Sequence, residues 1–177
     1  MHAIVVYESM YGNTRHVAEA IARGIDRSGT VRVVPVSMAE EVSLAEFDLV
    51  VVGGPTHVHG MSRESTRHTA DDAATASGGD LVMEPDSTSE GVREWLASLS
   101  GMTGRAAAFD TRLDAAPLLT GRASKGIAKL LRTAGFELVT QPESFLVDKT
   151  THLLAGEEQR AEAWGAGLLT STQEEKS

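Results

Sequence analysis

Two short, uninterrupted apolar runs constrain this chain more than any other feature. Ile4-Val5-Val6-Tyr7 runs into Glu8-Ser9-Met10-Tyr11-Gly12-Asn13, and Phe47-Asp48-Leu49-Val50-Val51-Val52 runs into Gly53-Gly54-Pro55. A strand with one wet face alternates apolar and polar residues. A β-branched run without alternation is buried on both faces. Such strands require a parallel sheet with helices on each side. The intervening segments have the helical period. Val17, Ile21 and Ile25 form one stripe, and Ser28-Gly29 closes that helix. Val92, Trp95, Leu96 and Leu99 form a second stripe, and Ile127, Leu130, Leu131 and Ala134 a third, stopped by Gly135. Ala161, Trp164 and Leu168 line a last helix. The tryptophans in these stripes read as core.

Three further strands complete the pattern. Val31 to Val36 carries Pro35 near its end, which places it at a sheet edge. Ala106-Ala107-Ala108-Phe109 suits a strand by position, although its alanines suit a helix equally well. Phe136 to Val139 and Ser144 to Val147 form a last strand broken at Pro142. Five strand–helix units fit the 177 residues as a single domain over 1–170, with 171–177 a polar tail. The segment from Ser62 to Ser89 is the least regular. Ser77-Gly78-Gly79-Asp80 and Glu84-Pro85-Asp86-Ser87 read as loop, preceded by a weak helix.

Composition removes several function classes. Without cysteine there is no disulfide, no thiol catalysis and no thiolate metal site. Sixteen Lys+Arg against 25 Asp+Glu give a charge of −9, with no basic block to neutralise phosphates, so no nucleic-acid partner is expected. No apolar run suits a membrane span. The start lacks a basic leader pattern, and a cytoplasmic protein is expected.

In open parallel sheets, ligands sit beyond the carboxyl ends of the strands at the switch in strand order. That selects the loops after strands one, three and four. The first offers hydroxyls at Ser9 and Thr14, an amide at Asn13, a glycine at Gly12 and the N–H groups of the following helix, with Arg15 the nearest cation. This is an anion site built from amides, hydroxyls and a helix dipole. It is neither a Walker loop nor Gly-x-Gly-x-x-Gly. The alternative is a plain turn at Ser9 and Asn13 with Thr14 as an N-cap.

Tyr7-x-Ser9-x-x-Gly12-Asn13-Thr14 resembles the phosphate loop of the flavodoxin family. Gly53-Gly54-Pro55-Thr56-His57-Val58-His59-Gly60 resembles the family's Gly-x-Pro-Thr loop, and Phe109-Asp110-Thr111-Arg112-Leu113 stands where the family places its other flavin loop. The resemblance implies an α/β flavodoxin-like three-layer sandwich with a five-stranded parallel sheet in the order 2-1-3-4-5. It also implies one bound FMN. Ser9, Met10, Tyr11, Gly12, Asn13 and Thr14 would hold its phosphate. Pro55, Thr56, His57, Val58, His59 and Gly60, with Asp110, Thr111 and Arg112, would flank its ring. The presumed ring loops carry no tryptophan or tyrosine, unlike many flavodoxins.

The functional reading is an FMN-binding electron-transfer protein whose acidic surface docks a basic redox partner through a salt-sensitive encounter. Two alternatives stay open. One is an FMN-dependent quinone or protoporphyrinogen oxidoreductase on the same fold, with a quinone-like small molecule as partner and walls from the Ser62 to Ser89 and Arg112 to Arg122 segments. The other is a flavin-free binding or regulatory module. A deazaflavin would fit the same loops. His57 and His59 share one face of an extended segment, and a metal there would need further ligands such as His68, Asp71 and Asp72. Arg112 is either a surface ion-pair residue or a cation at the ring edge, favouring the anionic reduced ring.

Overall fold

The computed structural model of the chain describes residues 1–57, 60–68, 72 and 91–170. Its centre is a parallel sheet. Strand β1 (His2–Tyr7) pairs with β2 (Thr30–Pro35) on one side and β3 (Leu49–His57) on the other. Strand β4 (Gly60–Met61) folds back on β3 as a two-residue antiparallel hairpin arm. Strand β5 (Arg105–Leu113) pairs with β3, and then with both β6 (Glu137–Leu138) and β7 (Glu143–Val147). With β6 and β7 counted as one broken strand and the β4 arm set aside, the order is 2-1-3-4-5, as expected. Pro35 does lie on the edge strand, where its missing N–H interrupts no ladder.

Helices cover both faces. On one face lie α1 (Asn13–Asp26) and the last helix, α5 (Glu157–Thr170). On the other lie α2 (Val92–Ser98) and α4 (Ala123–Ala134), while the short α3 (Pro117–Thr120) sits in the loop after β5. The strand alternation divides the core. Ile4, Val6, Val50, Val52, Ala106 and Ala108 pack under α2 and α4. Val5, Val51, Ala107 and Phe109 pack under α1 and α5. Trp95 is buried in the first of these layers and Trp164 is partly buried against the second, with its ring edge-on to Phe109 and Phe145.

The alanines of β5 form strand, not helix, because they occupy the middle of the sheet beneath two helix layers. Phe109 is Gly53's partner in the register, and a Cβ on Gly53 would lie 2.1 Å from the Phe109 ring. Glycine is required there by close approach. The helices α1 and α5 touch in the same manner: a Cβ on Gly165 would meet Ile21 O at 2.2 Å, and one on Gly24 would meet Glu162 O at 2.0 Å.

Candidate functional site

The carboxyl ends of β1, β3, β5 and β7 open on one cleft of about 230 Å³. The first loop contributes Met10, Tyr11, Asn13 and Thr14, and the end of β3 contributes Pro55, Thr56 and His57. Thr111, Arg112 and Leu113 enter from β5. A fourth wall, absent from the sequence reading, comes from the loop after β7: Val147, Asp148, Lys149 and Thr151.

The start of α1 carries no side-chain cap. Gly12 occupies the N-cap position with φ 89°, a left-handed conformation that favours glycine. A glycine cap brings no side chain to the helix donors, and the Gly12 N–H itself goes to Ser9 Oγ at 3.1 Å. The first-turn N–H groups of Asn13 and Thr14 have no intrahelical carbonyl to meet. Thr14 is therefore not the N-cap. It is the second residue of the helix, and its Oγ1 meets Thr111 Oγ1 at 2.8 Å. One hydrogen serves that contact, and the second hydroxyl hydrogen stays available to a ligand. Asn13 donates Nδ2–H to Thr151 O at 2.8 Å, which ties this loop to the loop after β7.

That last loop is held by one carboxylate. Asp148 Oδ1 accepts from the Thr150 N–H and hydroxyl and from the His152 N–H. These donors, the His152 N–H foremost, hold the Asp148 carboxyl below its ordinary range. Thr151 takes φ 67° within the turn. Asx turns of this type leave no periodic signal in a sequence, which explains why the loop was invisible there.

Not every expected residue faces the cleft. Ser9 and Gly12 support the loop from beneath. Gly60 lines a second cavity on the other side of His57. Asp110 points away from the cleft. It is fully buried, and its Oδ2 accepts the Ser124 N–H at 2.7 Å, capping the start of α4. Burial pushes its carboxyl above the ordinary range. The pleat accounts for this, since Asp110 shares the face of Ala106 and Ala108 whereas Thr111 takes the opposite face with Phe109. Val58 and His59 lie outside the described residues, as do Asp71 and the two loop stretches at 77–80 and 84–87. Among the described residues no group of acidic and histidine side chains forms a metal site, and His68 faces Glu64 at 4.0 Å.

His57 separates the two cavities. Its Nε2 is buried without a partner. Burial, and then the charge of Arg67, lower its pKa, so the ring favours the neutral form. Arg112 makes no ion pair among the described residues. Its Nη1 donates to Leu113 O at 3.2 Å and Ala115 O at 2.8 Å, gathering the loop beyond β5 around the guanidinium. Behind the first loop, Glu8 accepts from Ser62 Oγ and from the Val92 N–H at 2.9 Å. Arg67 Nη1 reaches Ser62 Oγ and Glu94.

The sequence profile of the flavodoxin family matches residues 5–114, well over half of the chain. The chain belongs to the flavodoxin family. The flavodoxin fold is repeated in solved structures of low identity. An archaeal flavodoxin is similar over 98% of this chain and 100% of its own, at 21% identity and a TM-score of 0.59. Oxidised flavodoxin 1 from Bacillus cereus is similar over 96% and 98%, at 18% identity and 0.61. In the rubredoxin oxygen:oxidoreductase from Desulfovibrio gigas, 97% of this chain corresponds to 37% of that chain, at 17% identity and 0.54. No curated protein sequence matches at a significant level. Family membership places this flavodoxin among the flavin electron-transfer proteins. No helix among the described residues is long and apolar enough to cross a membrane.

Proposed function

We propose that this flavodoxin binds FMN without a covalent bond in the cleft at the strand ends and passes electrons to a redox partner protein. The observation that carries the reading is the uncapped start of α1: a left-handed Gly12, first-turn N–H groups, and a Thr14–Thr111 hydroxyl pair with a hydrogen to spare. That donor set suits a phosphate dianion, which is stabilised at a helix N-terminus and accepts several hydrogen bonds. Bound FMN supplies the one- and two-electron redox chemistry.

The chain's own residues have separate tasks in this reading. Asn13 and Thr14 hold the phosphate end, on a loop whose shape Ser9 and Gly12 maintain. Pro55, Thr56 and His57 border the ring on one side, and Thr111 and Arg112 on the other. Tyr11, carried by the first loop, brings to the cleft a tyrosine, which the β3 and β5 segments lack. The Arg112 guanidinium favours added negative charge on the ring. Neutral His57 presents Nε2 as an acceptor or donor at the opposite wall. The net charge of −9 favours a basic docking partner, with association that weakens as salt rises. A cytoplasmic setting belongs to the same reading.

A flavin oxidoreductase with its own small-molecule substrate is the second reading, favoured by the cavity that His57 shares with the cleft. The absorption spectrum of the purified protein, with mass identification of any chromophore released by heating, tests the proposal. Flavin bands and released FMN support it. A protein that stays colourless after incubation with excess FMN overturns it. Turnover of a quinone without a partner protein would select the oxidoreductase.

A further inference from the structure

Beyond His57 lies a cavity of about 390 Å³, larger than the cleft and within the range of small-molecule sites. His57, Gly60, Met61, Arg63, Thr66 and Arg93 line it. The chain is acidic overall, yet this wall is cationic. Among the described residues, Arg15, Arg23, Arg27, Arg67 and Arg160 each make an ion pair, whereas Arg63 and Arg93 make none. Arg93 is oriented by carbonyls instead, through Nε to Ser62 O at 3.1 Å and Nη2 to Met61 O at 2.9 Å. Two of its five N–H donors are thereby used. No side chain covers it at Gly60, where a Cβ would lie 3.9 Å from Nη2. Thr66 fixes the turn that carries Arg63, by accepting the Arg63 N–H and donating to Arg63 O. Arg67, 4% exposed and with Nε unpaired, adds charge behind the wall. The nearby carboxyls among the described residues are spent or turned away: Glu94 pairs with Arg67, Glu8 is held by Ser62 and Val92, and Glu64 is exposed beside His68.

We propose that this second cavity binds the anionic group, carboxylate or phosphate, of a small molecule, clasped by Arg63 and Arg93 and bordered by His57. Guanidinium groups match both anions in a two-point fork. Gly60 and Met61 leave room for an apolar body next to that group. The use of the site rests on the electron-transfer reading, since a molecule held there touches the imidazole that also borders the cleft. The binding itself does not.

The test follows the Nε–H NMR signals of Arg63 and Arg93 and the ring signals of His57 in protein incubated with excess FMN. Inorganic pyrophosphate and succinate are titrated separately. A saturable shift at Arg93 and His57 is expected with at least one probe, and the tighter probe identifies the ligand as phosphate or carboxylate. Arg63→Met should weaken that binding about tenfold while the flavin absorption stays unchanged. Shifts that rise linearly with both probes, or binding that Arg63→Met leaves untouched, overturn the site. Saturable binding at Arg93 in a protein that never takes up FMN keeps the site and removes the electron-transfer reading.

Discussion

Thr14 on α1 and Thr111 on β5 share a hydroxyl contact of 2.8 Å that joins two loops 97 residues apart. Because one hydrogen serves two oxygens, the pair is both a brace and a donor. Thr14→Ala removes both roles, and FMN affinity should fall about tenfold or more, since a hydrogen bond to a charged group contributes about 1.5–3 kcal/mol. Thr111→Ala frees the Thr14 hydroxyl and should cost less. Riboflavin, which lacks the phosphate, should bind Thr14→Ala and the parent alike. Equal FMN affinity in Thr14→Ala and the parent would refute the phosphate assignment.

Arg112 places a cation in the cleft and holds Leu113 and Ala115 by their carbonyls. Arg112→Ala removes charge that favours the reduced, anionic ring. The midpoint potential of the FMN-loaded protein should shift to more negative values. An unchanged or higher potential in a redox titration would show that the guanidinium acts on the loop alone.

Glu8 is 5% exposed, and burial raises its carboxyl above 4.5 despite the opposing donors from Ser62 and Val92 and the charge of Arg67. A carboxyl raised by folding holds its proton more tightly in the folded protein. Its favourable contribution is therefore complete below the unfolded value and is lost as pH rises through the folded one. Asp110 acts in the same direction. Glu8→Gln keeps the shape without the charge. Its thermal stability relative to the parent should improve as pH is raised from about 4 to about 8. Parallel stability curves would mean that Arg67 keeps Glu8 ionised throughout.

Gly165 and Gly167 sit two residues apart on α5 and should respond oppositely to alanine. At Gly165 the new methyl meets the Ile21 carbonyl, and overpacking of this type costs about 1–3 kcal/mol. At Gly167 it meets nothing within 4 Å, and the better helix former should stabilise by up to about 1 kcal/mol. Thermal unfolding of the two variants checks this. A neutral Gly165→Ala would show that α1 and α5 separate without penalty.

The fold was legible because burial on two faces leaves a coarse mark. Ile4 to Tyr7, the run ending at Val52 and the three helical stripes each carry it. Strand lengths were less legible. β3 continues through Gly53, Gly54 and Pro55 to His57 because β5 alongside, also nine residues long, keeps supplying ladder partners as far as Pro55 and Thr111, and that information lies in another segment. The same limit explains Asp110. Its residue type suits a ligand loop, but the pleat, fixed by Phe109 beneath Gly53, turns it inward to α4. The first loop was legible from Ser9, Gly12 and Thr14, whereas Lys149 and Thr151 were not, because the pairing of β7 with β5 and the long-range Asn13–Thr151 bond bring their loop to the cleft.

The buried carboxylate of Glu8 binds Ser62 on one side and the Val92 backbone on the other. These two partners bracket the long irregular stretch of the sequence between the β4 arm and α2. Entry and exit of that stretch are thus fastened to a single carboxylate just past the end of β1. Ser62 and Val92 are thereby knotted to the strand end that carries the first loop, so a change at either residue is felt at the cleft as well.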